Sequence, residues 1–228
     1  MKKIWSYLSI PAAAVLTGSI AWVLLLRPFY YVQIGPLGVC QASGLTAAQA
    51  RAAYSDVMDY CLGLRPDFAA GVLPFSAEGA SHFADVRGLF LGGLWLRRIG
   101  LMFTLAFAAL LYFWKRGRKD RSAYLARAVP GSLCAGTGVF FAACLALAAV
   151  ISTDFSRYFV VFHHIFFDND LWILDPDTDM LINIVPEAFF MDTALRIAIV
   201  FATFVTIFFG ACLFLWLKGR KAAEKGGN

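Results

Sequence analysis

The chain has 228 residues, of which 60% are hydrophobic and 15% charged, and its formal net charge is +5. Soluble domains carry roughly a quarter charged residues, so this composition argues against an ordinary soluble domain. The Lys residues lie beside long apolar blocks, which favours membrane topology over a nucleic-acid-binding surface.

Four apolar blocks are long enough to cross a bilayer as helices, which takes about 20 residues. They cover residues 4–26, 94–114, 129–151 and 194–217. The first block is interpreted as an uncleaved anchor, because no small-x-small cleavage site follows it. The sequence therefore predicts an all-α integral membrane protein with four transmembrane helices, forming a single polytopic domain over residues 1–228.

The positions of the Lys residues predict the orientation of these spans. Every Lys lies before the first span, between the second and third, or after the fourth. The positive-inside rule places all three positions in the cytoplasm, with both termini. Two long segments, 27–93 and 153–193, are then extracytoplasmic.

The first of these segments contains the signals of two helices. Residues 46–49 read as a capping box, and the helix that follows runs to about Gly63. One face of that helix carries Tyr54, Val57, Met58 and Cys61. This amphipathic pattern predicts that the helix rests on the protein or on the lipid surface. Ser76 is a good N-cap for the second helix.

The second segment begins with an aromatic stretch, residues 155–167, which suits the boundary between water and lipid. Residues 175–179 form a turn cluster, and Asn183 and Pro186 predict the start of the last helix. A solvated turn explains the acidic run better than its alternative, a calcium site. That run comprises Asp168, Asp170, Asp175, Asp177 and Asp179.

Cys40 and Cys61 both lie in the first extracytoplasmic segment. That compartment permits a disulfide between them without requiring one, so the sequence leaves their state open. The chain has no CxxC pair, which gives a thiolate zinc site little support.

The three histidines, His82, His163 and His164, all lie in the two outer segments. Glu78 and Asp85 share a helix face with His82, and a carboxylate beside an imidazole sets its tautomer and raises its basicity. His163 lies among phenylalanines, where partial desolvation keeps an imidazole neutral and suits it to act as a general base. The alternative interpretation is that all three are polar residues at the membrane interface.

A zinc site is a rival interpretation of the same residues. Its ligands would be Glu78, His82, Asp85 and His163. The spacing Glu-x3-His-x2-Asp is not a strong metal signature, however. The sequence has no Gly-x-Ser-x-Gly elbow, Walker motif or dinucleotide fingerprint, so it predicts neither a protein nucleophile nor a cofactor.

Two stretches of the chain resemble one family. The first reads Phe75-Ser76-x5-His82-x2-Asp85-Val86. The second, longer and more specific, reads Phe162-His163-x-Ile165-Phe166-Phe167-x-Asn169-Asp170-x-Trp172-x-Leu174-Asp175-Pro176-x-Thr178-Asp179, followed by Pro186-Glu187-x-Phe189-Phe190. Together they resemble the lipoprotein intramolecular transacylase family, known as Lit. The similarity extends over nearly the whole chain in length and span order.

The resemblance implies a reaction at the outer face of the cell membrane of Gram-positive bacteria. Members of that family act on diacylated lipoproteins whose N-terminal Cys bears a thioether-linked diacylglycerol. They move the sn-2 acyl chain to the α-amino group of that Cys, giving a lyso-form lipoprotein. Two histidines are the expected catalytic residues, and by motif position these are His82 and His163. His164 occupies a variable position and is assigned no role.

The predicted partners are therefore a lipoprotein substrate and membrane lipids, with no nucleic acid and no cofactor. Supporting roles are predicted for Asp85, Glu78, Asn169, Asp170 and Arg87. Asn169, Arg87 or Arg157 are candidates to stabilise a tetrahedral oxyanion.

One departure from the family pattern concerns the partner of His82. An Arg-Glu pair usually follows the motif Ser after one residue, whereas Glu78 and Gly79 occupy those positions here. Asp85 is therefore the better candidate to orient His82. The leading hypothesis is the O-to-N transacylase; the alternatives are a zinc-dependent intramembrane lipid hydrolase and a non-enzymatic membrane partner protein. Which histidine is base and which is acid stays open.

Overall fold

The computed structural model describes residues 27–115 and 119–225. The first predicted span, residues 4–26, lies outside the described residues. Throughout the described ranges the regular secondary structure is helical, with no β-strand, which confirms the predicted all-α class.

Three short helices open the described chain. They are α1, residues 27–33; α2, Val39–Ser43; and α3, Ala47–Cys61. Gly38 and Gly44 flank α2 with φ of 62° and 69°, in the left-handed region where glycine avoids a Cβ clash. The capping box at Thr46 and Gln49 is present, which confirms the predicted start of α3.

Four further helices and one 3-10 helix complete the described chain. The helices are α4, Ala77–Lys115; α5, Lys119–Thr153; α6, Phe155–Phe166; and α7, Glu187–Lys225. The 3-10 helix covers Met180–Asn183. The predicted spans 94–114, 129–151 and 194–217 fall inside α4, α5 and α7. Of the described residues, Val129–Thr153 and Glu187–Lys221 are long and apolar enough to cross a bilayer.

The start of the last helix differs slightly from the prediction. Asn183 does not begin α7 but ends the 3-10 helix, and its Nδ2 donates to the carbonyl of Pro176 at 3.0 Å. Pro186 directly precedes the first residue of α7, and its carbonyl accepts from the N–H of Phe189. A proline is tolerated there because it has no N–H to donate.

The chain divides into two compact units. Of the described residues, one unit takes those within 96–150 and 198–225, and the other those within 27–95 and 151–197. In the first unit α5 and α7 approach closely: a Cβ on Gly131 would lie 2.9 Å from the indole of Trp216. Only glycine accommodates this contact without displacing the ring.

The second unit has an aromatic core. Tyr30 is fully buried and stacks on Tyr54 with ring centroids 3.9 Å apart, while Phe189 meets it edge-on at 5.5 Å. The hydroxyl of Tyr30 donates to the carbonyl of Ile184 at 3.0 Å. This core joins α1 and α3 to the start of α7, and it is the scaffold for the helices that carry the histidines.

The predicted apolar face of α3 is buried in this core. All four of its residues, Tyr54, Val57, Met58 and Cys61, are shielded from solvent. The face therefore packs on protein rather than on lipid. Cys40 and Cys61 are free thiols, and burial raises the pKa of Cys61 to about 12.

Candidate active site

His82 lies near the start of α4, with only 6% of its surface exposed. Phe167 and Phe83 contact its ring edge-on, with centroid distances of 5.1 and 5.5 Å. The described residues supply no hydrogen-bond partner for its buried Nδ1. An imidazole held in this way is desolvated on several sides, which favours its neutral form.

The position of His82 depends on how α4 begins. Ser76 caps the helix as predicted, its Oγ accepting from the N–H of Gly79 at 2.9 Å. Asp179 accepts from both the N–H and the Oγ of Ser76, at 2.8 and 3.0 Å. A Cβ on Gly79 would collide with the carboxylate of Asp179. The two motif regions therefore meet at the first turn of α4.

His163 lies on α6 and is 8% exposed. Its Nδ1 lies 2.7 Å from the carbonyl oxygen of Phe159. A carbonyl only accepts, so Nδ1 carries the proton in this bond and Nε2 of the neutral ring is left as an acceptor. The ring also stacks on Trp172 at 4.6 Å. The hydrogen bond and the stacking together set both the tautomer and the orientation of this imidazole.

The two imidazoles face each other with ring centroids 6.2 Å apart, and Phe167 contacts both. Burial and, to a smaller extent, the nearby His163 lower the pKa of His82 to about 4, although the charge of Asp85 acts in the opposite direction. Burial also lowers the pKa of His163, while its bond to Phe159 acts in the opposite direction. Both rings are therefore neutral near pH 7, in the form that accepts a proton.

Asp85 and Asn169 form a polar pair on the exposed side of the site. Nδ2 of Asn169 donates to Oδ2 of Asp85 at 3.0 Å, and Oδ1 of Asn169 accepts from the N–H of Leu171. Asp85 is the predicted candidate to orient His82, but within the described part of the chain it forms no hydrogen bond to the buried Nδ1 of His82. The negative charge of Asp85 raises the pKa of His82 against the effect of burial.

The remaining candidates lie away from the imidazole pair or are exposed. Arg87 donates to the carbonyl of Pro66 at 3.0 Å and lies over the ring of Tyr60 at 4.6 Å. Its side chain is thus held against neighbouring segments and is a poor candidate for an oxyanion donor. Glu78, Arg157, His164 and Asp170 are exposed.

The ligands proposed for zinc are not assembled in the structure. Over residues 27–115 and 119–225, no group of three or more His, Cys, Asp or Glu side chains is placed to hold a metal ion. His82 and His163 lie together, whereas Glu78 is exposed in the first turn of α4. A zinc site made of all four predicted ligands is therefore incompatible with this geometry.

The phenylalanines expected around His163 include Phe159 and Phe167, which do contact it. Sequence reasoning gave no role to Trp172 and Asp179, which lie in the second motif, because a motif does not say what its members touch. Trp172 stacks on His163, and its buried Nε1 has no hydrogen-bond partner in the part of the chain that the structure describes. Phe159 acts through its backbone carbonyl, which no pattern of side chains reveals.

The helices and this site together define a class, an integral membrane protein with a buried pair of neutral histidines. Residues 5–190 match the sequence profile of the family described as lipoprotein intramolecular transacylase Lit. The match covers most of the chain, and the protein belongs to this family.

Solved structures agree with this fold. The chain is similar to the in meso structure of the membrane-integral lipoprotein intramolecular transacylase Lit from Bacillus cereus, with a TM-score of 0.78 and 22% identity over 96% of this chain and 98% of that one. A second structure of that protein, with one histidine changed to arginine, has a TM-score of 0.75 at 20% identity, covering 97% and 95%. A search of curated protein sequences found no match.

Proposed function

We propose that this protein transfers the sn-2 acyl chain of a diacylglyceryl-Cys lipoprotein to the α-amino group of the same Cys. The observation that carries the proposal is the buried pair of neutral imidazoles, His82 and His163, in a chain of the transacylase family. The amine nitrogen attacks the ester carbonyl carbon, a C–N bond forms, and the C–O bond to glycerol breaks. The amine loses a proton and the glycerol oxygen gains one, so the products balance without a co-reactant.

His163 is assigned the role of general base. Nε2 of its ring is the free acceptor, because Nδ1 donates to the carbonyl of Phe159. The same bond stabilises the imidazolium that forms when Nε2 takes the proton of the amine. A fixed ring of this kind removes a proton only from an amine held in one place, which suits an intramolecular transfer.

His82 is assigned the role of hydrogen-bond donor to the tetrahedral oxyanion, and the imidazolium of His163 then returns its proton to the departing glycerol oxygen. The neutral ring of His82 still carries one N–H, and its pKa of about 4 keeps the ring neutral near pH 7. With ring centroids 6.2 Å apart, the two imidazoles are close enough to act on the amine and the ester of one substrate molecule. No protein nucleophile is needed, because the substrate supplies its own.

The topology proposed from the sequence places this site outside the cell. Four spans cross the bacterial membrane in one polytopic domain, with both termini cytoplasmic and residues 27–93 and 153–193 extracytoplasmic. Support comes from the Lys positions and from the location of both histidines within the helical unit formed by these outer segments. Lipoproteins present their lipidated Cys at that face.

Mass spectrometry of a reporter lipoprotein tests the proposal. The reporter is co-expressed with this protein in a host that does not N-acylate lipoproteins, and its lipidated N-terminal peptide is analysed. We expect one acyl chain on the Cys nitrogen, one on the glycerol, and an unchanged total acyl mass. An unmodified diacylglyceryl peptide beside well-expressed protein would contradict the transacylase assignment.

Histidine variants test the roles within the site. His82→Ala and His163→Ala are each expected to lower product formation by at least about 100-fold, the usual contribution of a general acid or base. His164→Ala is the matched control, because His164 is the exposed neighbour of His163 on the same helix. Full activity in either of the first two variants would rule out the two-histidine mechanism.

A further inference from the structure

A groove of about 400 Å³ lies beside the histidine pair, between α4 and the residues that follow α6. It is lined by Ala84, Asp85, Gly88, Leu89, Phe166, Phe167, Asp168 and Asn169. All of these belong to the same compact unit as the two histidines. The groove therefore lies within one folded unit.

The groove combines an apolar floor with an acidic edge. Ala84 and Gly88 lie one helical turn apart on α4, and no heavy atom lies within 4 Å of where a Cβ on Gly88 would be. Small side chains at these positions leave a channel along the helix. Asp85 and Asp168 border this channel, and no Lys or Arg is among the described residues that line it.

Asp85 is held in a defined orientation although it is exposed. Asn169 donates to its Oδ2, and Asn169 is itself fixed by the N–H of Leu171. Among the described residues, no hydrogen bond reaches the other carboxylate oxygen, Oδ1, and Asp85 forms no ion pair. The neighbouring Arg87 bonds to Pro66 and lies over Tyr60 instead.

Phe167 borders both the groove and the catalytic pair. This side chain lines the groove, and its ring lies 5.1 Å from that of His82 and 5.6 Å from that of His163. A ligand in the groove therefore lies one aromatic ring away from both imidazoles.

We propose that this groove binds the lipidated N-terminal residue of the substrate, with its α-ammonium on Asp85 and its glyceryl thioether along Ala84 and Gly88. This rests on the function proposed above. The complementarity is chemical: an amino-terminal Cys with a diacylglyceryl group places a cation directly beside an apolar chain, and the groove places a carboxylate directly beside an apolar channel. Asp85 is thereby a substrate-binding residue, and its partner Asn169 positions it.

The role of Asp85 is in binding rather than in proton transfer. A carboxylate favours the ammonium form of the amine, so it adds affinity for the substrate that enters. The amine then loses its proton to Nε2 of His163. The interaction is present in the bound substrate and weakens when the charge is lost, so its removal raises KM more than it lowers kcat.

The test compares two synthetic diacylglyceryl peptides, one with a free α-amine and one with an N-acetyl group. Binding to the purified full-length protein is measured by competition against a fluorescent diacylglyceryl peptide in detergent micelles. The background variant is His163→Ala, so that no turnover intervenes. We expect tighter binding of the free amine, by on the order of tenfold for one charge-assisted hydrogen bond.

Asp85→Asn should abolish this preference while leaving the affinity for the N-acetyl peptide unchanged. The new amide keeps the shape of the side chain, and its Oδ1 still accepts from Asn169. Asp67→Asn is the charge-matched control, because Asp67 is exposed and does not line the groove. An undiminished preference in Asp85→Asn would overturn the proposal.

A pair of glycine substitutions tests the channel independently. Gly88→Leu should weaken the binding of both peptides, because its side chain fills the channel. Gly92→Leu is its control: Gly92 lies one turn further along the same helix, has equally open surroundings and does not line the groove. Equal affinities in the two variants would place the ligand elsewhere.

The outcomes separate this proposal from the proposed function. Binding with an Asp85-dependent preference for the free amine, but without acyl transfer by the wild-type protein, would retain the groove and reject the transacylase. Acyl transfer without an Asp85-dependent preference for the free amine would retain the transacylase and reject the groove as the binding site. Failure of the folded wild-type protein to bind either peptide would overturn both.

Discussion

At the scale of single residues, the site depends on keeping two imidazoles neutral without isolating them from their substrate. Aromatic rings from Phe83, Phe167 and Trp172 surround the pair and displace water. One histidine has its tautomer set by a backbone carbonyl, and the other has a buried nitrogen for which the described residues supply no partner. The first arrangement defines a base, and the second leaves a polar atom for the reaction to use.

This burial makes stability depend on pH. The pKa of His82 is lowered from an ordinary value of about 6.5 to about 4, so between these values the unfolded chain binds a proton that the native protein does not. Stability is therefore expected to fall as the pH drops through this window, by up to roughly 3 kcal/mol. Burial also lowers the pKa of His163, which adds to the loss of stability on acidification.

Thermal unfolding of the detergent-solubilised protein between pH 7.5 and about pH 4 measures this slope. In His82→Gln, which no longer titrates, the loss of Tm on acidification should be smaller than in the parent protein. His164→Gln is the control and should keep the parent slope, because His164 is exposed. An unchanged slope in His82→Gln would show that His82 is not buried in its neutral form.

At the scale of secondary-structure elements, the start of α4 joins the two motif regions. Ser76 supplies the cap, and Asp179, from the turn after α6, binds both its N–H and its hydroxyl. A carboxylate near a helix N-terminus is favourable because it accepts from donors that have no partner within the helix. His82 lies less than two turns beyond this point, so the cap also determines where its ring is held.

Gly79→Ala tests the contact between Asp179 and Ser76. Its Cβ displaces the carboxylate of Asp179 and breaks the bonds to Ser76, which should lower the free energy of unfolding by about 1–2 kcal/mol. Gly92→Ala is the matched control, because it adds the same methyl group to the same helix in open space. This variant should leave the free energy of unfolding unchanged or raise it slightly. Chemical denaturation in detergent compares the two, and equal stabilities would contradict a fixed Asp179.

At the scale of the whole molecule, two distant parts of the chain build the unit that carries the site. The hydroxyl of Tyr30 reaches the carbonyl of Ile184, and Gln33 donates to Asp192 at 3.0 Å. These contacts tie the segment before α4 to the segment that follows α6. The long apolar helices contribute to the other unit, and their surfaces suit lipid as solvent.

The proposed orientation makes a prediction for intact cells. Asp177→Cys, in the exposed turn before the 3-10 helix, should react with a membrane-impermeant maleimide above the level of the parent protein. Gly227→Cys, near the C-terminus, should react only after the cells are permeabilised. The reverse pattern would place the histidine pair in the cytoplasm.

Several features followed from the sequence alone because their causes are local. Hydropathy over about 20 residues, the capping box at Thr46 and the N-cap at Ser76 depend on near neighbours, and α3, α4, α5 and α7 appear where these signals placed them. The histidines and the family were recognised from residue types at fixed spacings. The full set of four spans, including the first over residues 4–26, and the orientation remain predictions.

Only the tertiary structure decided what the recognised residues touch. Asp85 accepts a hydrogen bond from Asn169 rather than from His82, and Arg87 donates to the carbonyl of Pro66. The ring of His163 is oriented by its hydrogen bond to a backbone carbonyl. Such contacts depend on how α4, α6 and the intervening turns pack, and a side chain on a helix face has several neighbours within reach. Spacing along a chain gives the face of a residue, whereas packing selects the atom that it meets.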